Sequence, residues 1–76
     1  MMAKKQQATG NKVYKVIQLV GTSNDGFEAA IESAVARAGE TLTNLRWFEV
    51  KELRGAVGSD GALNYQAVVK ISFEVK

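Results

Sequence analysis

Apolar and polar positions along the chain change period three times, and each change marks an element. From Val13 to Val20 β-branched and aromatic residues dominate, and Gly21-Thr22-Ser23-Asn24 supplies turn and capping residues, which predicts a first strand ending there. From Phe27 the apolar positions are Phe27, Ala30, Ile31, Ala34, Val35 and Ala38, a spacing of three and four that makes one helical stripe. Thr22 or Asn24 is placed to cap its start, Thr22 with Asp25 has the form of a capping box, and Gly39 is a natural stop. Residues 45 to 57 and 62 to 75 are two extended runs around Gly58-Ser59-Asp60-Gly61, where Asp60-Gly61 is a hairpin turn signal.

The elements predict an α+β fold, a βαββ unit in which a three-stranded antiparallel sheet carries one helix on one face. With Asp60-Gly61 as the loop, Phe48 stands opposite Phe73, Val50 opposite Ile71 and Gln66 opposite Gly55. Tyr65, Ala67 and Val69 join the first two pairs on an apolar face by alternation. The other face then carries Trp47, Glu49, Lys51 and Leu53 beside Gln66, Val68, Lys70, Ser72 and Glu74. One helix covers one side, so this mixed face is either wet or buried by another copy. On this register Trp47 and Gln66 stand roughly 26 Å apart, and a ligand touching both is held by different chains.

Length points the same way. A helix of about 16 residues spans roughly 24 Å, whereas a strand of about 13 spans roughly 43 Å. The hairpin therefore overhangs the helix, and Glu52 and Arg54, on the nominal core face near that end, are explained by exposure or by contact between subunits. Residues 1 to 11 hold little to bury and read as a flexible leader, leaving 12 to 76 as one domain. A chain of 76 residues builds a thin core. With no cysteine or histidine to supply a disulfide or a metal staple, self-association is the remaining device.

The same two missing residue types exclude Ser-His and Cys-His nucleophiles and the commoner transition-metal sites, so the expectation is a non-enzyme without a metal. Asp25, Glu28 and Glu32 lie along one helix as an ordinary solvated face, and Glu49 and Glu52 fall on opposite faces by alternation. The net charge of +2 equals the contribution of Lys4 and Lys5 in the leader, so no basic patch suggests nucleic acid. No apolar run reaches the roughly 20 residues of a membrane span, and the first eleven residues lack the apolar centre of a signal peptide. The expectation is a cytoplasmic protein.

Trp47, the single tryptophan, is the main candidate for function. A strand tryptophan serves either packing, here between subunits, or as a platform for a flat ligand, with Arg46, Arg54 and Gln66 as hydrogen-bonding companions. Stacking on a nucleobase-like ring contributes on the order of 1–3 kcal/mol.

Val13-Tyr14-Lys15-Val16-Ile17-Gln18-Leu19-Val20-Gly21-Thr22-Ser23, Leu45-Arg46-Trp47-Phe48-Glu49-Val50 and Tyr65-Gln66-Ala67-Val68, in this order and with an alanine-rich helix after the first, resemble the dodecins over roughly Lys12 to Val75. The resemblance implies a hollow homododecamer that binds flavin, FMN or riboflavin, for storage and protection. In it paired isoalloxazine rings stack between symmetry-related tryptophans, here Trp47, and a glutamine, here Gln66, bonds the polar ring edge. Arg46 and Arg54 would support the site or a phosphate. Coenzyme A, associated with some bacterial members, would find only Lys15 and Arg37 as anion contacts. Bacterial relatives often carry an arginine after the phenylalanine of the last strand, where this chain has Glu74, which weakens any phosphate contact there. The rival reading is a structural shell without a specific flavin role.

Overall fold

A computed structural model describes residues 10–76. Its element order is β1 (Val13–Ser23), α1 (Phe27–Thr41), β2 (Leu45–Val57) and β3 (Leu63–Val75). The three strands form one antiparallel sheet with β3 in the centre, between β1 and β2. Most of the expected leader falls outside the described residues.

The core is a seam between small and branched side chains. Ala30, Ala34 and Ala38 from α1 lie buried on Ala67, Val69 and Ile71 of β3, with Ile17, Leu19, Ile31, Val35, Leu42 and Leu45 around them. Alanines at that spacing bring the helix axis close to the sheet, and Gly21 marks the closest approach. A Cβ built there would stand 1.9 Å from the carbonyl oxygen of Ala30. This explains one departure from expectation: Gly21-Thr22-Ser23 does not end the strand. These residues stay paired with Ala67, Gln66 and Tyr65, because a glycine beneath the helix lets the strand pass.

The helix ends also differ from expectation. Gly26, at φ 152°, is the N-cap, and no side chain caps the helix; the Ser23 hydroxyl instead accepts from the Asp25 N–H at 2.9 Å. Gly26 takes a backbone conformation that a side chain disfavours, so the turn rather than a capping box starts the helix. The helix runs two residues past Gly39, to Thr41, and Leu42 closes it with its N–H on the Ala38 carbonyl at 3.0 Å.

The β2–β3 pairing is where alternation breaks. Phe48 faces Ile71, Val50 faces Val69 and Arg54 faces Gln66, a different register from the one expected. The loop is longer than Asp60-Gly61: Gly58 N–H bonds the Ala62 carbonyl at 2.8 Å, and Gly61 takes the positive φ of 86°. In addition β2 carries two irregularities, between Leu45 and Trp47 and between Val50 and Glu52, each leaving one extra residue, Arg46 and Lys51. An extra residue shifts the period-two alternation by one. Glu52 and Arg54 consequently share the face of Trp47 and Glu49, while Leu53, opposite Ala67, turns to the helix side. The expectation that Glu52 and Arg54 lie on the core face, and that Glu49 and Glu52 lie apart, is thereby corrected.

α1 lies over β1 and β3 and scarcely touches β2. On the helix side of β2, Phe48 (51% exposed) and Leu53 (50%) remain open, and Phe48 borders an apolar groove with Ile31 and Val35 of the helix.

Candidate functional site

The face turned away from the helix holds Trp47, Gln66, Arg46 and Arg54, and its chemistry is sorted along its length. One end is aromatic. Trp47 stands opposite Ser72, which stands opposite Val16. Tyr14, one pleat further, reaches across the central strand to meet Trp47 with ring centroids 4.7 Å apart at 61°. The two strands that carry them lie on either side of β3, so the rings lean together over Ser72, which is only 3% exposed. The indole itself remains half-exposed. Edge-to-face pairs of this kind contribute about 0.5–1.5 kcal/mol beyond burial, so Tyr14 orients the indole while leaving much of it open. Tyr14 was not singled out from sequence. Its only signal there was a parity shared with Val16 on strand one.

Arg46 does not extend toward a ligand within the subunit. Its Nε and Nη2 donate to Glu74 Oε1 at 3.2 and 2.9 Å, and Lys76 Nζ lies 3.7 Å from Glu74 Oε2. Burial pushes the Glu74 carboxyl up. The Arg46 hydrogen bonds and the charges of Lys76, Lys12 and Arg46 outweigh that and hold it below the ordinary value of 4.5. The bulge at Arg46 puts its side chain on this face beside Trp47, so this ion pair braces the aromatic end.

The other end is polar. Arg54 Nε donates to Gln66 Oε1 at 2.8 Å, and Arg54 Nη1 donates to Glu52 Oε1 at 3.3 Å. Gln66 Nε2 donates to Asn64 Oδ1, and Asn64 Nδ2 to Asn24 Oδ1, each at 3.2 Å. The structure thus joins Arg54 and Gln66 directly. Trp47 is not with them: its partner Ser72 and the Arg54 partner Gln66 are six residues apart on β3, about 20 Å. The separation derived from sequence survives the corrected register.

Lys15 and Arg37 do not come together. Lys15 lines a groove with Thr41–Asn44 and the end of β3, while Arg37 lines another with Leu19–Thr22 and Ser33. Arg37 is also paired with Glu40 at 3.4 Å, an exposed pair of little energetic weight.

A small βαββ chain with an open apolar flank, and a flat aromatic and a polar cluster at opposite ends of one uncovered face, is built for association and binding. Residues 13–76 match the family model Dodecin, and the chain belongs to the dodecin family, whose members are small binding and storage proteins that form oligomers. It is 54% identical over 65 residues to a dodecin from Thermus thermophilus, covering 86% of this chain and 94% of that one. A crystal structure of the T. thermophilus protein superposes with a TM-score of 0.81 at 53% identity, over 87% of this chain and 97% of that one. The dodecin from Streptomyces davaonensis gives 0.83 at 39% identity, over 88% and 98%. A protein named calcium dodecin, from Mycobacterium tuberculosis, is 38% identical over 84% of this chain and 90% of that one. Among the described residues no helix is long and apolar enough to cross a membrane.

Proposed function

We propose that this chain stores or sequesters flavin, FMN or riboflavin, by stacking the isoalloxazine ring on Trp47 between neighbouring subunits of a homododecamer while Gln66 of another subunit bonds the ring edge. The observation that carries the reading is the half-exposed indole on a face that no element among the described residues covers, braced from the side by Tyr14 and from its bulge by Arg46 on Glu74. A planar, electron-rich surface held at a fixed tilt suits a planar, electron-poor ring. Tryptophan in van der Waals contact with an excited flavin donates an electron to it and returns it to the ground state, so stacking both stores and protects the ligand.

The polar end has the complementary chemistry. After its bonds to Arg54 and Asn64, the Gln66 amide retains one lone pair and one N–H, an adjacent acceptor and donor, which matches the alternating C=O and N–H of the flavin pyrimidine edge. With Arg46 engaged by Glu74, Arg54 is the better support for this end, and the ring rather than a phosphate is the part recognised. Three or more His, Cys, Asp or Glu placed to hold a metal do not occur among the described residues.

The test is a titration of ligand-free assembly into FMN and into riboflavin, followed by flavin fluorescence, beside Trp47→Ala. Saturable quenching in the parent, lost in the variant while gel filtration shows the same assembly, supports the reading. A variant that quenches as well as the parent refutes it, and an assembly that falls apart without Trp47 supports the structural shell instead.

A further inference from the structure

The hydrogen bonds around Gln66 form a line with one direction. A guanidinium only donates, so the end of the amide facing Arg54 Nε at 2.8 Å must be the oxygen. The amide nitrogen then faces Asn64 Oδ1 at 3.2 Å, which turns the Asn64 nitrogen to Asn24 Oδ1, also at 3.2 Å. Every donor points the same way, from Arg54 on β2 through Gln66 and Asn64 on β3 to Asn24 just beyond β1, and bonds aligned in this manner polarise and strengthen one another. Arg54 sets the polarity of the Gln66 amide. It does not by itself set the plane, because one bond leaves the amide free to swing about its oxygen. The second bond, to Asn64, removes that freedom, and Asn24 holds Asn64 in turn.

We propose that Asn64, seated by Asn24, is a positioning residue that clamps the Gln66 amide with its oxygen toward β2, and so makes the site selective for a ring edge that presents an N–H beside a carbonyl. The inference rests on the flavin reading above and adds to it the feature of the ligand that is read and the residue that enforces the reading. Arg54 fixes which end of the amide is the oxygen, but a ligand edge is discriminated only if the plane is fixed as well, because an amide that swings about its oxygen presents its donor and acceptor at no set place. A flavin whose ring N3 is methylated keeps the stacking surface and loses the donor, so it reports on the clamp and not on Trp47.

The experiment measures dissociation constants of riboflavin and N3-methylriboflavin by flavin fluorescence quenching, with assembly mass followed by gel filtration, for the parent, Asn64→Ala and Asn64→Asp. One hydrogen bond corresponds to about two- to tenfold in affinity. The expected result is a parent that prefers riboflavin, an Asn64→Ala variant whose preference shrinks by about that factor at unchanged mass and unchanged maximal quenching, and an Asn64→Asp variant that keeps most of it, because the carboxylate still accepts from Gln66 and accepts also from Asn24 once that amide turns its nitrogen inward. An unchanged preference in Asn64→Ala, or one lost equally in Asn64→Asp, overturns the proposal. A parent that binds neither flavin overturns the flavin reading itself, an outcome separate from binding without selectivity.

Discussion

Gly21→Ala places one methyl group where the helix already is. The added Cβ would stand 1.9 Å from the Ala30 carbonyl oxygen, and 3.0 Å from both the Ala30 carbonyl carbon and the Ala34 Cβ. Ordinary contact begins near 3.4 Å, so the helix backbone has to retreat by about 1.5 Å at that point. No side-chain rotation relieves it, since the obstacle is backbone. A displacement of that size opens the seam of Ala30 and Ala34 on Ala67 and Val69, all of them under 4% exposed. Overpacking a core costs about 1–3 kcal/mol where side chains can adjust, and here the upper end, about 3 kcal/mol, is expected. A domain this size has roughly 4–11 kcal/mol in total, and at about 4–8 °C per kcal/mol the unfolding midpoint drops by about 12–24 °C. The assay is thermal unfolding by circular dichroism at one fixed protein concentration, because association raises apparent stability by mass action. Gly39→Ala is the internal control. Its nearest neighbour would be Leu45 Cδ1 at an ordinary 3.8 Å, and alanine in a helix is favoured over glycine by about 0.5–1 kcal/mol, so that midpoint rises. A loss below about 1 kcal/mol for Gly21→Ala would mean that the alanine seam is not seated on Gly21, and the packing argument would fail with it.

Deleting Lys51 removes the second bulge and restores plain alternation. Either the Trp47 side or the Arg54 side of it then changes face, so the two ends no longer share one face and flavin titration should show binding lost, while Lys51→Ala, which removes only an exposed pair with Glu49 at 3.8 Å, changes stability by less than about 1 kcal/mol. Retained binding in the deletion would show that the bulge does not set the face. Glu74 supplies a pH dependence: its folded pKa is lowered, so its stabilising contribution is fully present above the ordinary 4.5 and fades as pH falls below that value through the folded one. Melting curves of the parent and Glu74→Gln should differ by a constant amount above that pH and converge below it; a difference that persists unchanged to pH 3 would contradict the Arg46–Glu74 brace.

The elements were legible because their signals are local. The helical stripe from Phe27 to Ala38 and the two long runs around residues 58 to 61 appear where their periods place them. The uncovered face, with Trp47 and Gln66 far apart on it, also followed from parity and length. What parity could not reveal was where it is interrupted. Arg46 and Lys51 are ordinary strand residues by type, and nothing in their side chains announces that β3 offers them no partner. That ignorance, together with a loop read as Asp60-Gly61 that is closed instead by Gly58 on Ala62, misplaced Glu52, Leu53 and Arg54 and concealed the Arg54–Gln66 bond. Tyr14 was missed for a related reason: its contact with Trp47 requires knowing that β3 lies between their strands, and strand order is a property of the whole sheet. The Gly21 turn was misread because a glycine required by a neighbouring helix looks, in sequence, like a glycine required by a turn.

β2 is one of the two outer strands of the sheet and its helix side is largely bare, so in a lone chain one of its edges stands open beside exposed apolar side chains. Such an edge invites any similar strand to pair with it, and aggregation competes with assembly. The run Glu49, Lys51, Glu52 and Arg54 sets alternating charges along that edge, and the bulge at Lys51 interrupts the regular ladder a stray strand would need. An irregularity that sorts residues between faces in the finished protein thus also acts as a gatekeeper before it is finished, leaving a stray flat strand no regular ladder to extend.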